Sequence, residues 1–174
     1  MKSIETKRLL LRKPEIEDLR DFNYYAKKPN IGPMAGWSPH LSLAESEFIL
    51  TDMIINDEVY AIIYKENKKM IGTIGIHPYL EDDEAKELGY VISDDYWGQG
   101  IAVEAARAVI DELFKDPLIK RIYCGYFSFN TQSKRVIEKL GFRYLRTVSD
   151  EKYKTYSNKQ IYNILTKKDY EGKK

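Results

Sequence analysis

Cysteine is almost absent: Cys124 stands alone among 174 residues, which excludes an internal disulfide and a multi-cysteine zinc site. Long apolar runs are missing too, and none approaches the roughly 20 residues that a bilayer crossing needs. Nor is there an excess of one charge: 28 Lys and Arg against 27 Asp and Glu leave a net +1. That balance argues against a protein whose main business is gripping nucleic-acid phosphates, so no direct nucleic-acid partner is expected. With no Ser/Gly linker, low-complexity tract or solenoid repeat, residues 1–174 are expected to form a single domain. The opening Met1-Lys2-Ser3-Ile4-Glu5 turns charged again at Lys7-Arg8 and offers no signal-peptide core, so a cytoplasmic protein without a membrane segment is expected. The chain does have 43% hydrophobic and 32% charged residues, enough for a folded core under a solvated surface.

Periodicity divides the chain into short elements. Leu9-Leu10-Leu11 between Arg8 and Arg12 reads as a buried strand stopped by Pro14. From Glu15 to Lys27, Ile16, Leu19, Phe22 and Ala26 fall at helical spacing, with acids early and lysines late. Pro29 to His40 is rich in breakers and reads as a loop. Ser42-Leu43-Ala44-Glu45 has the form of a capping box opening a helix that carries Phe48, Ile49, Met53 and Ile54. The period then becomes extended: Val59 to Tyr64, a polar turn, Met70 to Ile76, the acidic loop from Glu81 to Glu84, and Glu87 to Ile92. A helix follows Gly100; Arg121 to Phe127 is a strand; Thr131 to Leu140 is a helix capped by Gly141; Phe142 to Val148 and Gln160 to Leu165 are strands. The order β-α-α-β-β-β-α-β-α-β-β describes an α/β domain with a mixed sheet.

The segment from Gly89 to Ala106 is a strand, a glycine-bearing turn and a long helix. The first amides of a helix lack internal partners and lie at the positive end of its dipole, so they favour an anion. Gly98 and Gly100 remove side chains that would hold a phosphate away. There is neither a Walker lysine nor a three-glycine dinucleotide fingerprint, so nucleoside-triphosphatase and Rossmann readings fit badly. Alone, the turn reads first as a tight strand-to-helix connection, its glycines there for geometry.

Its surroundings decide. The stretch resembles the pyrophosphate-binding turn of the GCN5-related N-acetyltransferases (GNAT), whose pattern is Arg or Gln, two residues, Gly, one residue, then Gly or Ala. Trp97 stands at the first position, with Gly100 and Ala102 at the others. The tryptophan departs from the general pattern and is similar instead to the branch of ribosomal-protein alanine/serine N-acetyltransferases. Four further pieces of that branch occur in order. They are Glu5 to Arg12; Gly36-Trp37; Ile71-Gly72-Thr73-Ile74-Gly75; and Asn130 to Ser133 followed by Glu138 to Phe142. The resemblance implies a GNAT-type acyl-CoA N-acyltransferase fold, with a mixed, mostly antiparallel sheet splayed at the coenzyme site and about four flanking helices. It further implies acetyl-CoA as cosubstrate, no metal, and a primary amine as acceptor. A protein or peptide N-terminus of ribosomal-protein type leads. A polyamine, amino acid or antibiotic acceptor, and a non-catalytic acyl-CoA sensor, remain as alternatives. Monomer and homodimer are both compatible with it.

Residue by residue, the resemblance assigns the backbone of Tyr90, Val91 and Ile92 to the pantetheine arm, with the Val91 or Ile92 amide facing the thioester oxygen. Trp97, Gly98, Gln99, Gly100, Ile101 and Ala102 would hold the pyrophosphate. Asn130 would hydrogen-bond the arm, although Asn is also an excellent N-cap. Ser133 would either protonate the departing thiolate or merely fill the first helical turn. Trp37, His40 and His77 would lie on the acceptor side.

A general base is needed because the amine must shed a proton. An α-amine, with pKa roughly 7.7 to 8.0, is already partly neutral, whereas a lysine near 10.4 is almost wholly charged. A modest base suffices for the former. The candidates rank as Glu87, two residues before Gly89; then His77, at the end of the preceding strand; then His40, in the Trp37 loop. Cys124 reads as a buried structural thiol, and the 14 tyrosines as strand and surface residues. Lys167, Lys168, Lys173 and Lys174 read as a solvated tail.

Overall fold

A computed structural model describes residues 1–149 and 159–172; Lys173 and Lys174 of the expected tail lie outside the described residues. The chain divides into two compact units, one of residues 1–75 with 90–108, the other of 76–89 with 109–174.

In the first unit, strands β1 (Ile4–Glu5), β2 (Leu9–Arg12), β3 (Val59–Tyr64) and β4 (Lys69–Pro78, through Gly75) pair antiparallel in that order. The β4 segment in this unit is buried almost throughout, from Met70 to Gly75. Helix α1 (Leu19–Ala26) buries Phe22, Tyr25 and Ala26. It follows a 3-10 turn in which Asp18 accepts from both terminal nitrogens of Arg12, each at 2.8 Å. Within the expected loop from Pro29 to His40, residues Gly32–Ala35 form the short helix α2. Pro33 sits in its first turn, where no amide is needed, and Gly36 at φ 88° ends it.

Helix α3 (Leu43–Asn56) starts where the capping box was expected, with Ser42 Oγ accepting from the Glu45 amide at 3.1 Å. The return bond is offset by one residue: Glu45 accepts from the Leu41 amide at 2.6 Å. This helix meets the core through Leu50 and Ser46, with Ile49, Met53 and Ile54 partly buried, while Phe48 faces solvent. A serine can occupy that interior position because its hydroxyl is satisfied twice, by Asn23 at 2.9 Å and by His40 at 2.8 Å.

The second unit holds the start of β5 (Ala85–Ile92), β6 (Arg121–Phe127), β8 (Lys159–Thr166) and β7 (Arg143–Ser149), neighbours in that order. β5 and β6 are parallel and the others antiparallel. The parallel ladder is three pairs long, Ala85 with Arg121 to Glu87 with Tyr123. Helix α5 (Thr131–Lys139) follows β6, and Gly141 after it takes φ 87° as a C-terminal cap should. Instead of a solvated tail, Lys167 and Lys168 open the short helix α6 (Lys167–Glu171). Thr166 caps it by accepting from the Asp169 amide, and its Tyr170 is buried beside Phe114. Helix α4 (Ile101–Leu113) begins in the first unit and ends in the second. No helix among the described residues is long and apolar enough to cross a membrane.

Candidate active site

The glycine turn lies in the first unit. β5 ends at Ile92, the Ser93 amide donates to the Ile71 carbonyl at 2.8 Å, and a 3-10 turn over Asp94–Tyr96 leads to Trp97. The Trp97 indole N–H then donates back to the Ile92 carbonyl at 2.8 Å, fastening the turn onto the end of its own strand. Gly98 at φ 73° and Gly100 at φ 74° take the left-handed conformation that costs other residues energy. Together they bring the amides of residues 98–103 to the start of α4, and none of these amides has an acceptor among the described residues. The first helical bond is donated by Glu104, to the Gly100 carbonyl at 3.0 Å.

Three ion pairs brace the turn. Lys28 bonds Asp94 at 2.5 Å and Asp95 at 3.1 Å, and Asn30 bonds Asp94 at 2.9 Å. Burial alone would raise the Asp94 carboxyl, but the bonds from Asn30 and Lys28 outweigh it and hold it below the ordinary carboxylate range. On the other side, Glu104 accepts from Thr6 Oγ1 at 2.6 Å, the Arg8 amide at 2.9 Å and Arg8 Nε at 2.7 Å. Arg8 Nη1 donates to the Gln99 carbonyl at 2.9 Å. Gln99 itself reaches back to the Asp95 carbonyl at 3.2 Å.

Gly72 lets β4 approach the end of β5. A Cβ there would stand 2.3 Å from the Val91 carbonyl oxygen, closer than any real side chain comes. Val91, Trp97 and Trp37 pack against one core cluster built on Phe22, Tyr25 and Leu50. Trp37 also covers Gly32 and lies 5.1 Å from the His40 ring. His40 is itself buried: its ring stands edge-on to Phe22 at 5.3 Å and its Nδ1 meets Ser46. Burial pushes its pKa down, with Glu45 opposing. The histidine expected on the acceptor side thus serves to pin the Trp37 loop onto α1 and α3. Of the first-unit residues singled out in the sequence, Tyr90 and Ala102 are half-buried, Ile101 is buried, and Gly98, Gln99 and Gly100 are exposed.

Glu87 and His77 lie in the second unit. Glu87 is half-buried on β5 and accepts no hydrogen bond from a described residue. Burial pushes its carboxyl above the ordinary range, and the nearby His77 partly opposes this. A carboxylate so placed is a better proton acceptor than one in water. His77 is exposed near the end of β4. Close by in this unit, Tyr79 stacks on Tyr123 at 4.0 Å, Tyr123 donates to Asp82 at 3.2 Å, and Asp82 pairs with Arg121. These partners were not visible in the sequence, because only the sheet register brings residues some 40 positions apart together. Cys124 is buried, and its thiol is pushed up to about 12 chiefly by burial, with Glu87 adding to the effect, so it is inert at neutral pH.

Asn130, also in this unit, caps α5: its Oδ1 accepts from the Ser133 amide at 3.0 Å. The capping alternative is therefore realised, and Ser133 occupies the first turn, half-buried.

Known proteins bear on this geometry. The Acetyltransferase (GNAT) domain model matches residues 8–143. An uncharacterized N-acetyltransferase of Bacillus licheniformis is 29% identical over 150 residues, covering 82% of this chain and 83% of its own. Among solved structures, a GNAT-family acetyltransferase from Bacillus anthracis superposes with a TM-score of 0.87 at 23% identity, over 96% of this chain and 99% of that one. The ribosomal-protein alanine acetyltransferase of Vibrio fischeri gives 0.79 at 20%, over 98% and 99%. An aminoglycoside acetyltransferase in complex with coenzyme A gives 0.76 at 21%, over 94% and 98%. A family model spanning most of the sequence and a relative named as an N-acetyltransferase agree: the chain belongs to the GNAT acetyltransferase family and is an acetyl-CoA-dependent N-acetyltransferase.

Proposed function

We propose that the acceptor is the N-terminal α-amine of a protein or peptide, ribosomal proteins first among them. The amine attacks the thioester directly, with no metal and no covalent enzyme intermediate. The observation that carries this reading is Glu87: a half-buried carboxyl raised by burial, with no hydrogen-bond donor among the described residues. Such a group is a moderate base, which suits an α-amine of pKa roughly 7.7 to 8.0 and falls short for a lysine near 10.4. The solved relative that acts on ribosomal-protein alanine lends support.

The chain's residues fit the coenzyme. A diphosphate needs several donors and room to approach, which the unpaired amides of residues 98–103 and the bare Gly98 and Gly100 provide. The bound coenzyme supplies an activated acetyl thioester and a thiolate leaving group. Trp97, Gly98, Gln99, Gly100, Ile101 and Ala102 hold the diphosphate through the backbone. Tyr90, Val91 and Ile92 hold the pantetheine arm, one amide of Val91 or Ile92 donating to the acyl oxygen as charge develops there. Asn130 hydrogen-bonds the arm as well as capping its helix, and Ser133 protonates the leaving sulfur. Glu87 takes the amine proton directly or through water; Trp37, His40 and His77 serve the acceptor. Residues 1–174 act as one domain in the cytoplasm, as monomer or homodimer.

Mass spectrometry of products tests the acceptor, using peptides with ribosomal-protein N-termini, polyamines and aminoglycosides as a panel. Acetylation at peptide α-amines is expected. Acetylation of the small amines alone, or coenzyme binding with no product from any of them, overturns the proposal.

A further inference from the structure

We infer that Arg8 is the cation of the diphosphate site, holding the glycine turn in shape and offering a guanidinium edge to the phosphates; this rests on the reading of residues 97–102 as the coenzyme turn. From Ser93 to Val103 the sequence contains Asp94 and Asp95 and no Lys or Arg. Trp97 at the head of the turn spends its one donor on the Ile92 carbonyl. A diphosphate carries at least two negative charges, so backbone amides beside two carboxylates would meet it with no formal positive charge of their own. Lys28 is at this turn but is bound to both Asp94 and Asp95, whose two charges outweigh its one.

Arg8 is the other cation. Its Nε is taken by Glu104 and its Nη1 by the Gln99 carbonyl, which fix the plane of the guanidinium. Nη2 has no hydrogen-bond acceptor among the described residues and lies 3.9 Å from where a Cβ on Gly100 would be. The side chain keeps 33% of its exposure. Arginine suits the position because its planar fork can spend two edges on the protein and present a third to a phosphate, which a lysine cannot. Glu104 is held by Thr6 Oγ1 and the Arg8 amide as well, and so serves as the anchor that aims the remaining guanidinium edge.

The test compares the wild type, Arg8→Gln, Arg8→Lys and the charge-free double variant Arg8→Gln/Glu104→Gln, which leaves no unpaired carboxylate if the single variant folds poorly. Affinity for coenzyme A is read by calorimetry, and kcat/KM with acetyl-CoA and with S-acetylpantetheine, which has no diphosphate. Loss of one charge-assisted bond to phosphate predicts about 10- to 100-fold weaker coenzyme A binding for Arg8→Gln. The kcat/KM loss should be larger by that factor with acetyl-CoA than with the truncated thioester. Arg8→Lys should recover part of the affinity, and the salt dependence of coenzyme binding should be shallower without the cation. Equal losses with both thioesters would reduce Arg8 to a structural role. Gly100→Asp separates the layers. Weakened binding there with unchanged affinity in Arg8→Gln overturns the Arg8 assignment alone; no change in either variant overturns the turn itself.

Discussion

Replacing Gly72 by alanine should injure both the fold and the reaction. The added Cβ would lie 2.3 Å from the Val91 carbonyl oxygen, 3.0 Å from Ile92 Cδ1 and 3.1 Å from Ile92 Cα, against an ordinary contact of 3.4 Å or more. The nearest obstacle is backbone, so no rotamer change relieves it, and β4 and the end of β5 must part by about 1 Å. Overpacking of this kind costs typically 1–3 kcal/mol, and a backbone clash belongs at the upper end, ~3 kcal/mol. For a chain of this length that lowers the melting temperature by roughly 6–12 °C. The moved atoms belong to Val91 and Ile92, whose amides are assigned to the acyl oxygen. A misplacement near 1 Å there predicts a turnover loss of about 10²-fold. Gly89→Ala is the control: nothing lies within 4 Å of its Cβ, and its φ is outside the left-handed region. It should change stability by less than about 1 kcal/mol. Differential scanning fluorimetry and steady-state kinetics on both variants decide. A Gly72→Ala protein melting within roughly 2 °C of wild type with normal turnover would refute the reasoning.

Glu87→Gln should lower turnover by about 10²–10⁴-fold if the base is essential, with coenzyme affinity nearly unchanged, and the loss should shrink as pH rises past the amine's own pKa; an unchanged rate-versus-pH profile would pass the role to His77. Gly100→Ala forces a side chain into φ 74° and should cost about 1–2 kcal/mol of stability without adding charge. Gly100→Asp should in addition weaken coenzyme binding, so equal affinity in the two variants, by calorimetry, contradicts the diphosphate assignment. Glu104 gives a pH signature: burial would raise its carboxyl, but bonds from Thr6 and Arg8 hold it below its ordinary value. A depressed folded pKa contributes stability that is complete above the unfolded value, near 4.3, and is lost as pH falls through the folded one. Glu104→Gln should therefore be less stable at pH 7 by about 1–3 kcal/mol, and denaturant titrations should show the gap closing below about pH 4.

Local chemistry was legible in the chain. Gly98 and Gly100 before an alanine-rich helix, Ser42 at a helix start, Asn130 three residues before Ser133, and Gly141 past a helix end each depend on a few adjacent residues. What escaped depends on contacts between distant segments. Arg8 and Glu104 are 96 positions apart, and nothing in either neighbourhood announces the other. His40 looked like a loop histidine because its environment is made by Phe22 and Ser46, on two different helices. Helices α2 and α6 are too short for periodicity to reveal; one is set by Pro33 and Gly36, the other by the Thr166 cap and burial of Tyr170.

The amides of residues 98–103, which have no acceptor among the described residues, also bear on folding. An anion that binds them in the native chain and not in the unfolded one shifts the folding equilibrium by mass action. At 100 times its dissociation constant the shift is about 2.7 kcal/mol, and at 1,000 times about 4.1. These are sizeable fractions of the 5–15 kcal/mol that holds an ordinary domain together. If these donors hold the coenzyme, the melting temperature should rise with coenzyme A concentration, and one that saturating coenzyme A leaves unchanged would contradict their assignment.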